Sequence, residues 1–292
     1  MEDILQSSAA TKHAVLHQTR KINADLVKRT LIAIPAFALL VSVIYFHGAY
    51  AKIIVLLIHL LCVHEIISAM DGVAKPIRSL SYGFTLALLP AYEFLGGQSA
   101  VTGLLVFSVM LVLVAMMISQ RSVTDGLYTI FPMLYPGLLF ASVYDILSIP
   151  SVSASQFVLI LAFGCAMITD TFAYLGGSAF GRHKLMERVS PNKTVEGALC
   201  GLVSGILFVF LFGSHFQLSF GVQLNPLLYL AWGALLSLFS QVGDLVESYL
   251  KRWFGKKDFG TLLGPHGGMM DRLDSFLFIA PIASLFRLIY LF

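Results

Sequence analysis

Long apolar runs separated by short polar segments make up most of the chain. They fall near residues 30–47, 50–70, 79–97, 99–119, 127–149, 156–177, 195–215, 224–246 and 273–292. A helix needs about 20 apolar residues to cross the hydrocarbon core of a bilayer, and each run is close to that length. The pattern therefore predicts an all-α, polytopic integral membrane protein with about nine transmembrane helices. It contains no internal repeat and no separate soluble domain.

The polar segments divide the chain into three parts. A polar N-terminal segment covers 1–29, N-terminal transmembrane helices cover 30–150, and a C-terminal transmembrane region with the candidate chemistry covers 151–292. Two long polar loops, 178–194 and 247–272, interrupt the last part. No small-residue cleavage site follows the first apolar run, so we expect that run to be retained as an anchor.

The positions of Lys and Arg predict the orientation in the membrane. Only Lys52 and Arg287 fall on the side opposite to the other basic residues. Because cytoplasmic loops are enriched in Lys and Arg, we expect a cytoplasmic N-terminus and two cytoplasmic long loops. The residues on the predicted inner side are Lys12, Arg20, Lys21, Lys28, Arg29, Lys75, Arg78, Arg121, Arg182, Lys184, Arg188, Lys193, Lys251, Arg252, Lys256, Lys257 and Arg272.

The composition agrees with a membrane protein and excludes several other classes. Apolar residues make up 58% of the chain and charged residues only 12%, whereas soluble domains have about 25% charged residues. A net charge of +3 is too small to indicate a nucleic-acid partner. Cys62, Cys165 and Cys200 lie within apolar runs and form no C-x-x-C pair, so neither a disulfide framework nor a zinc site is predicted.

Several acidic residues lie within or at the ends of the apolar runs. Each ionised carboxylate near the bilayer centre costs about 2.5–3.5 kcal/mol, so these groups must pair, lie near the interface or line a wet cavity. We interpret Glu65 and Glu93 as buried hydrogen-bonded groups or ion pairs. The dipeptide His64-Glu65 does not begin a zinc-protease motif, because position 68 is Ser.

The other acids form helical stripes that predict one shared pocket. Residues three and four positions apart lie on the same face of a helix. All three stripes fall at predicted cytoplasmic ends, and acids in a first helical turn also interact favourably with the helix dipole. The stripes are Asp244, Glu247 or Ser248, and Lys251; Asp170, Tyr174, and Gly177 or Ser178; and Asp271 with Asp274.

Oxygen ligands next to cations indicate a hard divalent metal that bridges to phosphate. Mg²⁺ prefers carboxylate and phosphate oxygens, so we expect the pocket to bind Mg²⁺ and a phosphate-bearing substrate. Gly267 and Gly268 would let backbone N–H groups approach an anion without interference from a Cβ atom. The basic residues expected to contact the phosphates are Arg182, Lys193, Lys251, Arg252, Lys257 and Arg272.

The segment S-P-N-K-T-V-E-G, Ser190 to Gly197, leads into the next apolar run. We expect Ser190 to be a helix N-cap and Pro191 the first helical residue. A helix start alone does not account for Lys193 and Glu196 at the membrane edge. The segment is therefore interpreted as a loop that faces phosphate.

The stretch S-Y-L-K-R-W-F-G-K-K-D-F-G-T-L-L-G-P-H-G-G-M-M-D-R-L-D, from Ser248 to Asp274, resembles the signature of the phosphatidate cytidylyltransferase (CDP-diglyceride synthase) family. That signature has Ser, Lys-Arg, Lys-Asp, a glycine-containing spacer, His-Gly-Gly and Asp-Arg-x-Asp. The resemblance continues upstream in D-T-F-A-Y at 170–174, F-G-R at 180–182 and the segment at 190–197. The modest length and short loops resemble a bacterial member.

The resemblance implies a Mg²⁺-dependent transfer of cytidylyl from CTP to phosphatidic acid, which gives CDP-diacylglycerol and pyrophosphate. It also implies a multi-pass, dimeric enzyme of the cytoplasmic (inner) membrane whose active site faces the cytoplasm. Asp244 and Asp271 would bind the metal, with Asp274 in support. Whether one or two Mg²⁺ ions bind, and whether a monovalent cation takes part, stays open.

The remaining motif positions receive roles by the same resemblance. Lys251 and Arg272 join the three aspartates as the catalytic set. The turn at His266 would hold either phosphate or cytidine. The substrate- and phosphate-binding set is Asp170, Tyr174, Arg182, Ser190, Lys193, Thr194, Glu196, Ser248, Arg252, Lys257, Asp258, His266, Gly267 and Gly268.

Three alternatives agree less well with the sequence. A secondary transporter would place acids near the middle of the bilayer and carry internal repeats. A CDP-alcohol phosphotransferase would carry a D-x-x-D-G…D-x-x-x-D arrangement, which is missing. A CTP-dependent kinase of isoprenoid alcohols is the closest in chemistry, but the His-Gly-Gly signature argues against it.

Overall fold

A computed structural model describes residues 34–264, 267–286 and 288. The described chain is almost entirely helical, as predicted. Its elements are, in order, α1 (Ile34–Phe46), α2 (Gly48–Ala69), α3 (Arg78–Leu95), α4 (Gln98–Ser119), α5 (Val123–Pro132), a π-helical turn (Met133–Leu138), α6 (Leu139–Leu147), α7 (Val152–Phe180), β1 (Lys184–Met186), β2 (Ser190–Thr194), α8 (Val195–Phe216), a 3₁₀ turn (Gln217–Phe220), α9 (Pro226–Trp253), a second 3₁₀ turn (Met270–Arg272) and α10 (Asp274–Ser284).

Six helical segments of the described chain are long and apolar enough to cross a membrane. They are α2, α4, the continuous segment from α5 to α6, α7, α8 with its 3₁₀ turn, and α9. The predicted runs near 30–47 and 273–292 correspond to α1 and α10, which are shorter apolar helices. The run near 79–97 corresponds to α3, which lies outside the six.

Helix α9 extends further than the apolar run that predicted it. The expected loop starts at 247, but the helix continues to Trp253. Lys251 pairs with Glu247 one turn earlier at 2.9 Å, which supports the last turns of the helix. Lys251 and Arg252 in the final turn also interact favourably with the negative end of the helix dipole.

The expected helix start at Ser190 is wrong. Ser190–Thr194 forms strand β2, which pairs antiparallel with β1. The N-cap of α8 is Thr194, whose hydroxyl accepts the N–H of Gly197 at 3.1 Å. Pro191 is tolerated in a strand of a two-stranded hairpin, where an outward-facing N–H is not needed for pairing. The polar loop therefore contains a β-hairpin that the sequence did not predict.

Glycines bring α8 into close contact with both α7 and α9. A Cβ atom on Gly201 would lie 2.8 Å from the carbonyl oxygen of Thr169 on α7. On Gly205 it would lie 2.6 Å from the hydroxyl of Ser237 on α9. Small residues four positions apart are a common device for close packing of membrane helices. The thin face of α8 thus holds α7 and α9 close to each other.

Helix α10 packs against the same group of helices. A Cβ on Gly243 of α9 would lie 2.7 Å from the carbonyl oxygen of Asp274, so only glycine leaves room for the first turn of α10. On the other side, the rings of Phe163 on α7 and Phe276 on α10 stack at 3.7 Å. The first turn of α10 is consequently held between α7 and α9.

The acid that the sequence placed in the third apolar run is paired. Glu93 on α3 accepts the ammonium of Lys52 on α2 at 2.7 Å. The expectation that Glu93 lies in an ion pair is confirmed. The same oxygen accepts the hydroxyl of Ser148, between α6 and α7, at 3.3 Å. Among the described residues this pair has no bond to the helices after α7, so it serves the packing of the N-terminal helices.

Candidate functional site

A cavity of about 440 Å³ lies between α7, the hairpin and α9. Six of the residues assigned to the site by sequence line it, so the predicted meeting of the α7 and α9 stripes is confirmed. Ser178, an alternative member of the predicted α7 stripe, also lines it, whereas Asn192 and Gln241 were not predicted. The polar lining comprises Asp170, Tyr174, Ser178, Ser190, Asn192, Lys193, Thr194, Gln241 and Asp244.

Asp244 holds a single lysine at the wall of this cavity. Its carboxylate forms an ion pair with Lys193 of β2, and both side chains keep about a quarter of their surface exposed (27% and 28%). The hydroxyl of Ser248, one turn later on α9, donates to the same carboxylate at 3.4 Å. Asp244 is therefore accessible from the cavity and has oxygen lone pairs free for a further ligand.

Two more carboxyl groups from other helices converge near Asp244. The hydroxyl of Ser275 on α10 donates to Asp170 of α7 at 3.2 Å, and Asp274 accepts the N–H of Ser275 at 2.7 Å. Asp170, Asp244 and Asp274 lie close enough together to repel one another. Three helices thus contribute one carboxylate each to the same region.

Asp271 has a different environment in the 3₁₀ turn before α10. Its side chain is 1% exposed, and its carboxylate accepts the Lys251 ammonium at 3.0 Å. It also accepts backbone N–H groups from Gly268 at 2.8 Å, Phe259 at 3.0 Å and Gly260 at 3.4 Å. Donors occupy both oxygens, so Asp271 is enclosed by its own loop.

The protonation of Asp271 reflects two opposing effects. Burial by itself raises the pKa of this carboxyl, but the Gly268 N–H and the Lys251 ammonium outweigh it and hold the pKa below the ordinary 3.8. Hydrogen bonds to the charged form are a common cause of such lowering. Asp271 is thus ionised at neutral pH.

Lys251 joins two buried acids rather than a free surface. It contacts Glu247 at 2.9 Å and Asp271 at 3.0 Å. Glu247 is fully buried, and its Oε2 has no hydrogen-bond partner among the described residues. The sequence assigned Lys251 to phosphate, whereas here its ammonium is bonded to two carboxyl groups of the protein.

The glycine turn also uses its amides internally. The N–H of Gly268 is donated to Asp271, and that of Gly267 to the carbonyl of Gly264 at 3.2 Å. Gly267 has φ = +80°, which favours glycine. The sequence predicted that these amides bind an anion of the substrate. The amide of Gly268 instead binds the carboxylate of Asp271. The assigned residue His266 lies outside the described residues.

Glu65 of α2 was not assigned to the site, yet it contacts the signature loop. It accepts the N–H groups of Met269 at 2.9 Å and Met270 at 2.8 Å. Its interpretation as a buried hydrogen-bonded group is confirmed. These contacts were not predicted, because Met269 and Met270 lie 204 and 205 positions after Glu65 in the sequence. An acid in an apolar run was the only signal in the sequence.

Glu196 holds the turn before the hairpin. One oxygen accepts the N–H groups of Arg182 at 3.0 Å and His183 at 3.2 Å, and the other hydrogen-bonds the His183 ring at 2.6 Å. The sequence assigned Glu196 to substrate binding. Its contacts instead orient the backbone that presents the exposed Arg182 side chain.

The other assigned basic residues do not line the cavity. Arg252 donates to the carbonyl of Lys256 at 3.2 Å and so bonds to the turn that follows its own helix. Lys257, Asp258 and Arg272 are exposed on the loop. Gln241, which does line the cavity, was missed even though it precedes Asp244 by one helical turn.

The acidic side chains of this region fit Mg²⁺ in part. Within the described ranges, no three His, Cys, Asp or Glu side chains are grouped so as to hold a metal ion as they stand. Asp170, Asp244 and Asp274 nevertheless offer the oxygen donors that Mg²⁺ prefers, and each retains unused acceptor capacity. Asp271 fits less well, because N–H and ammonium donors occupy both of its oxygens.

Comparisons with known proteins show the family of the chain. The model of the cytidylyltransferase family matches residues 27–290. Phosphatidate cytidylyltransferase of Staphylococcus aureus strain COL is 31% identical over 263 residues, which cover 88% of this chain and 97% of the relative. The proteins of the same name from Staphylococcus epidermidis strain ATCC 12228 and Staphylococcus haemolyticus strain JCSC1435 are also 31% identical, with the same two coverages. By sequence over nearly its whole length, the chain belongs to the cytidylyltransferase family.

Proposed function

We propose that the protein transfers cytidylyl from CTP to phosphatidic acid and produces CDP-diacylglycerol and pyrophosphate. The observation that carries this proposal is the cavity lined by carboxylates of α7 and α9 and a lysine of the hairpin, with Asp274 of α10 close by. The names of the relatives and the signature from Ser248 to Asp274 support the same substrates.

A divalent cation accounts for the charges of this region. Five carboxyl groups lie there with two lysines, Lys193 and Lys251, so acidic groups outnumber basic groups by three. Mg²⁺ would offset that excess, and we propose that Asp244 and Asp274 hold it with Asp170. When bound, it would stabilise negative charge on the α-phosphate and the leaving pyrophosphate. The five acids are Asp170, Asp244, Glu247, Asp271 and Asp274.

Asp271 has a distinct part in this proposal. The sequence assigned it to the metal, and a cation could replace the Lys251 ammonium on its carboxylate. Lys251 would then be free to turn towards a phosphate. Without that exchange, Asp271 serves as the fixed partner that keeps Lys251 at the site.

The chemistry requires little from the protein besides positioning and charge. An oxygen of the phosphatidate phosphate attacks the α-phosphorus of CTP, and the bond from that phosphorus to the bridging oxygen breaks as pyrophosphate leaves. The nucleophile is already an anion, so no Ser or Cys nucleophile is needed. Lys193 at the cavity wall would reduce the repulsion between the two anions.

The membrane arrangement is part of the proposal. The C-terminal ends of α7 and α9 lead into the two polar segments, which we place in the cytoplasm, where CTP is available. The N-terminus would lie on the same side, with about nine spans in the inner membrane and two chains in a dimer. The lipid substrate would then reach the cavity without leaving the bilayer.

Product formation tests the function directly. We expect the purified chain, incubated with labelled CTP, phosphatidic acid and Mg²⁺, to form a labelled liponucleotide and equimolar pyrophosphate. Diacylglycerol in place of phosphatidic acid is the matched control, because it lacks the attacking phosphate. Pyrophosphate release without a liponucleotide would contradict the proposed acceptor.

A further inference from the structure

Glu65 connects the N-terminal half of the chain to the signature loop. Its two carboxylate oxygens accept one N–H each, from Met269 to Oε1 and from Met270 to Oε2. The residue is 6% exposed, so water does not compete for these bonds. Asp271 directly follows the two methionines. The carboxylate of α2 therefore fixes the backbone immediately before the aspartate.

Two acids together use the amides of this loop. Asp271 accepts the N–H groups of Phe259, Gly260 and Gly268, and Glu65 accepts those of the next two residues. The three consecutive amides from 268 to 270 are thus shared between two carboxylates, one from the loop and one from α2. Since buried N–H groups must be satisfied, removal of either carboxylate leaves donors without acceptors.

Glycines make room for the Glu65 carboxyl group. A Cβ atom on Gly260 or on Gly268 would collide with it, because in both cases the nearest heavy atoms belong to the Glu65 side chain. The loop is therefore shaped around Glu65 as well as around Asp271. This accounts for two glycines of the signature without a substrate contact.

We propose that Glu65 is a positioning residue for cytidylyl transfer. It holds the segment 268–270 so that Asp271 keeps Lys251 at the edge of the acidic site. The inference rests on the proposed function, because the residues that Glu65 positions are those assigned to the reaction. Glu65 itself contacts backbone, not substrate.

The chemistry of the side chain explains why a carboxylate is needed. Two adjacent N–H donors require two acceptor oxygens. Glutamine has the same shape, but one of its oxygens is replaced by an NH₂ group, which would face a donor. The substitution Glu65→Gln therefore removes one hydrogen bond and forces one amide away, while volume and helix propensity are retained.

The test compares Glu65→Gln with Glu93→Gln. The control also removes a carboxylate from the N-terminal helices, where Glu93 pairs with Lys52 far along the chain from the loop. For each variant and the parent, kcat and the KM values for CTP and phosphatidic acid are measured per folded molecule. Amide hydrogen exchange of peptides covering the loop 259–270 and the hairpin is measured on the same samples.

We expect Glu65→Gln to lower kcat about 10- to 100-fold, with both KM values within threefold of the parent, since a small misplacement of reacting groups has effects of this size. Amide exchange should accelerate in the loop and stay unchanged in the hairpin. Glu93→Gln should keep kcat within twofold. Glu65→Asp retains two carboxylate oxygens and should recover part of the lost kcat. If Glu65→Gln does not fold, Glu65→Asp is measured in its place.

Several outcomes would overturn the inference. An unchanged kcat in a variant whose loop exchanges faster would mean that the loop geometry does not matter for turnover. A lower kcat with unchanged loop exchange would assign the effect to another cause. An equal loss in Glu93→Gln would show that removal of a carboxylate from the N-terminal helices lowers turnover without any special role of Glu65. If the parent forms no liponucleotide, the proposed function fails, whereas loop exchange still reports whether Glu65 holds the loop.

Discussion

Asp244 and Asp271 belong to the same predicted ligand set, but their surroundings are opposite. Asp244 stands on a helix at the wall of a cavity, 27% exposed, with one lysine partner from a short hairpin. Asp271 stands in a tight turn, 1% exposed, with a lysine and three backbone N–H groups around it. The first carboxylate can exchange its partner for a ligand, whereas the second supports the structure around it.

The two aspartates of one predicted ligand set therefore have two different physical tasks. The carboxylates of α7 and α9 face the cavity, where we propose that they bind a ligand. The enclosed carboxylate organises the loop and holds Lys251 in place. Substitutions should separate these tasks, because loss of the enclosed group affects both folding and turnover, and loss of the open group affects turnover alone.

The largest effect is expected for Asp271→Asn. The new NH₂ group would face N–H donors and leave Lys251 without one of its two counter-charges. We expect turnover to fall at least a thousandfold and the apparent Tm of the detergent-solubilised protein to drop by several degrees. Liponucleotide formation and a thermal-shift assay measure the two effects. Turnover within a few-fold of the parent would contradict the catalytic role of this region.

Asp244→Asn should reduce turnover to a similar extent without the loss of stability. Its carboxylate has one partly exposed ion pair, and ion pairs near the surface contribute about 0–1 kcal/mol to stability. We expect a Tm within about 2 °C of the parent, a range typical of surface substitutions. A Tm drop as large as that of Asp271→Asn would show that the Asp244 carboxylate contributes as much to the stability of the fold as the Asp271 carboxylate.

The smallest effect concerns pH. A carboxyl group whose pKa is lowered in the folded state stabilises that state at pH values above its unfolded pKa, near 3.8, and loses this contribution as the pH falls through the lower folded value. The Tm difference between the parent and Asp271→Asn should therefore stay constant from pH 8 to pH 5. A difference that shrinks steadily over that range would contradict the lowered pKa.

Sequence spacing predicted the open part of the site but not the enclosed part. The stripes through Asp170 and Asp244 follow from helix periodicity, so their convergence at one cavity could be read directly. The hairpin could not be predicted, because its strands are only 3 and 5 residues long and their sequences do not alternate between apolar and polar residues. The use of the loop amides by Glu65 and Asp271 also escaped prediction, since amides carry no signature in sequence and one partner lies over 200 residues away.

The glycine face of α8 limits which substitutions this part of the protein can accept. Gly201 and Gly205 supply no group to the cavity, yet they set the distance across which α7 and α9 present Asp170 and Asp244. A single added methyl group there would act as a spacer and widen the gap between two carboxylates that it never touches. The distance between these two carboxylates is therefore set by how three helices pack, and not by a residue of the cavity.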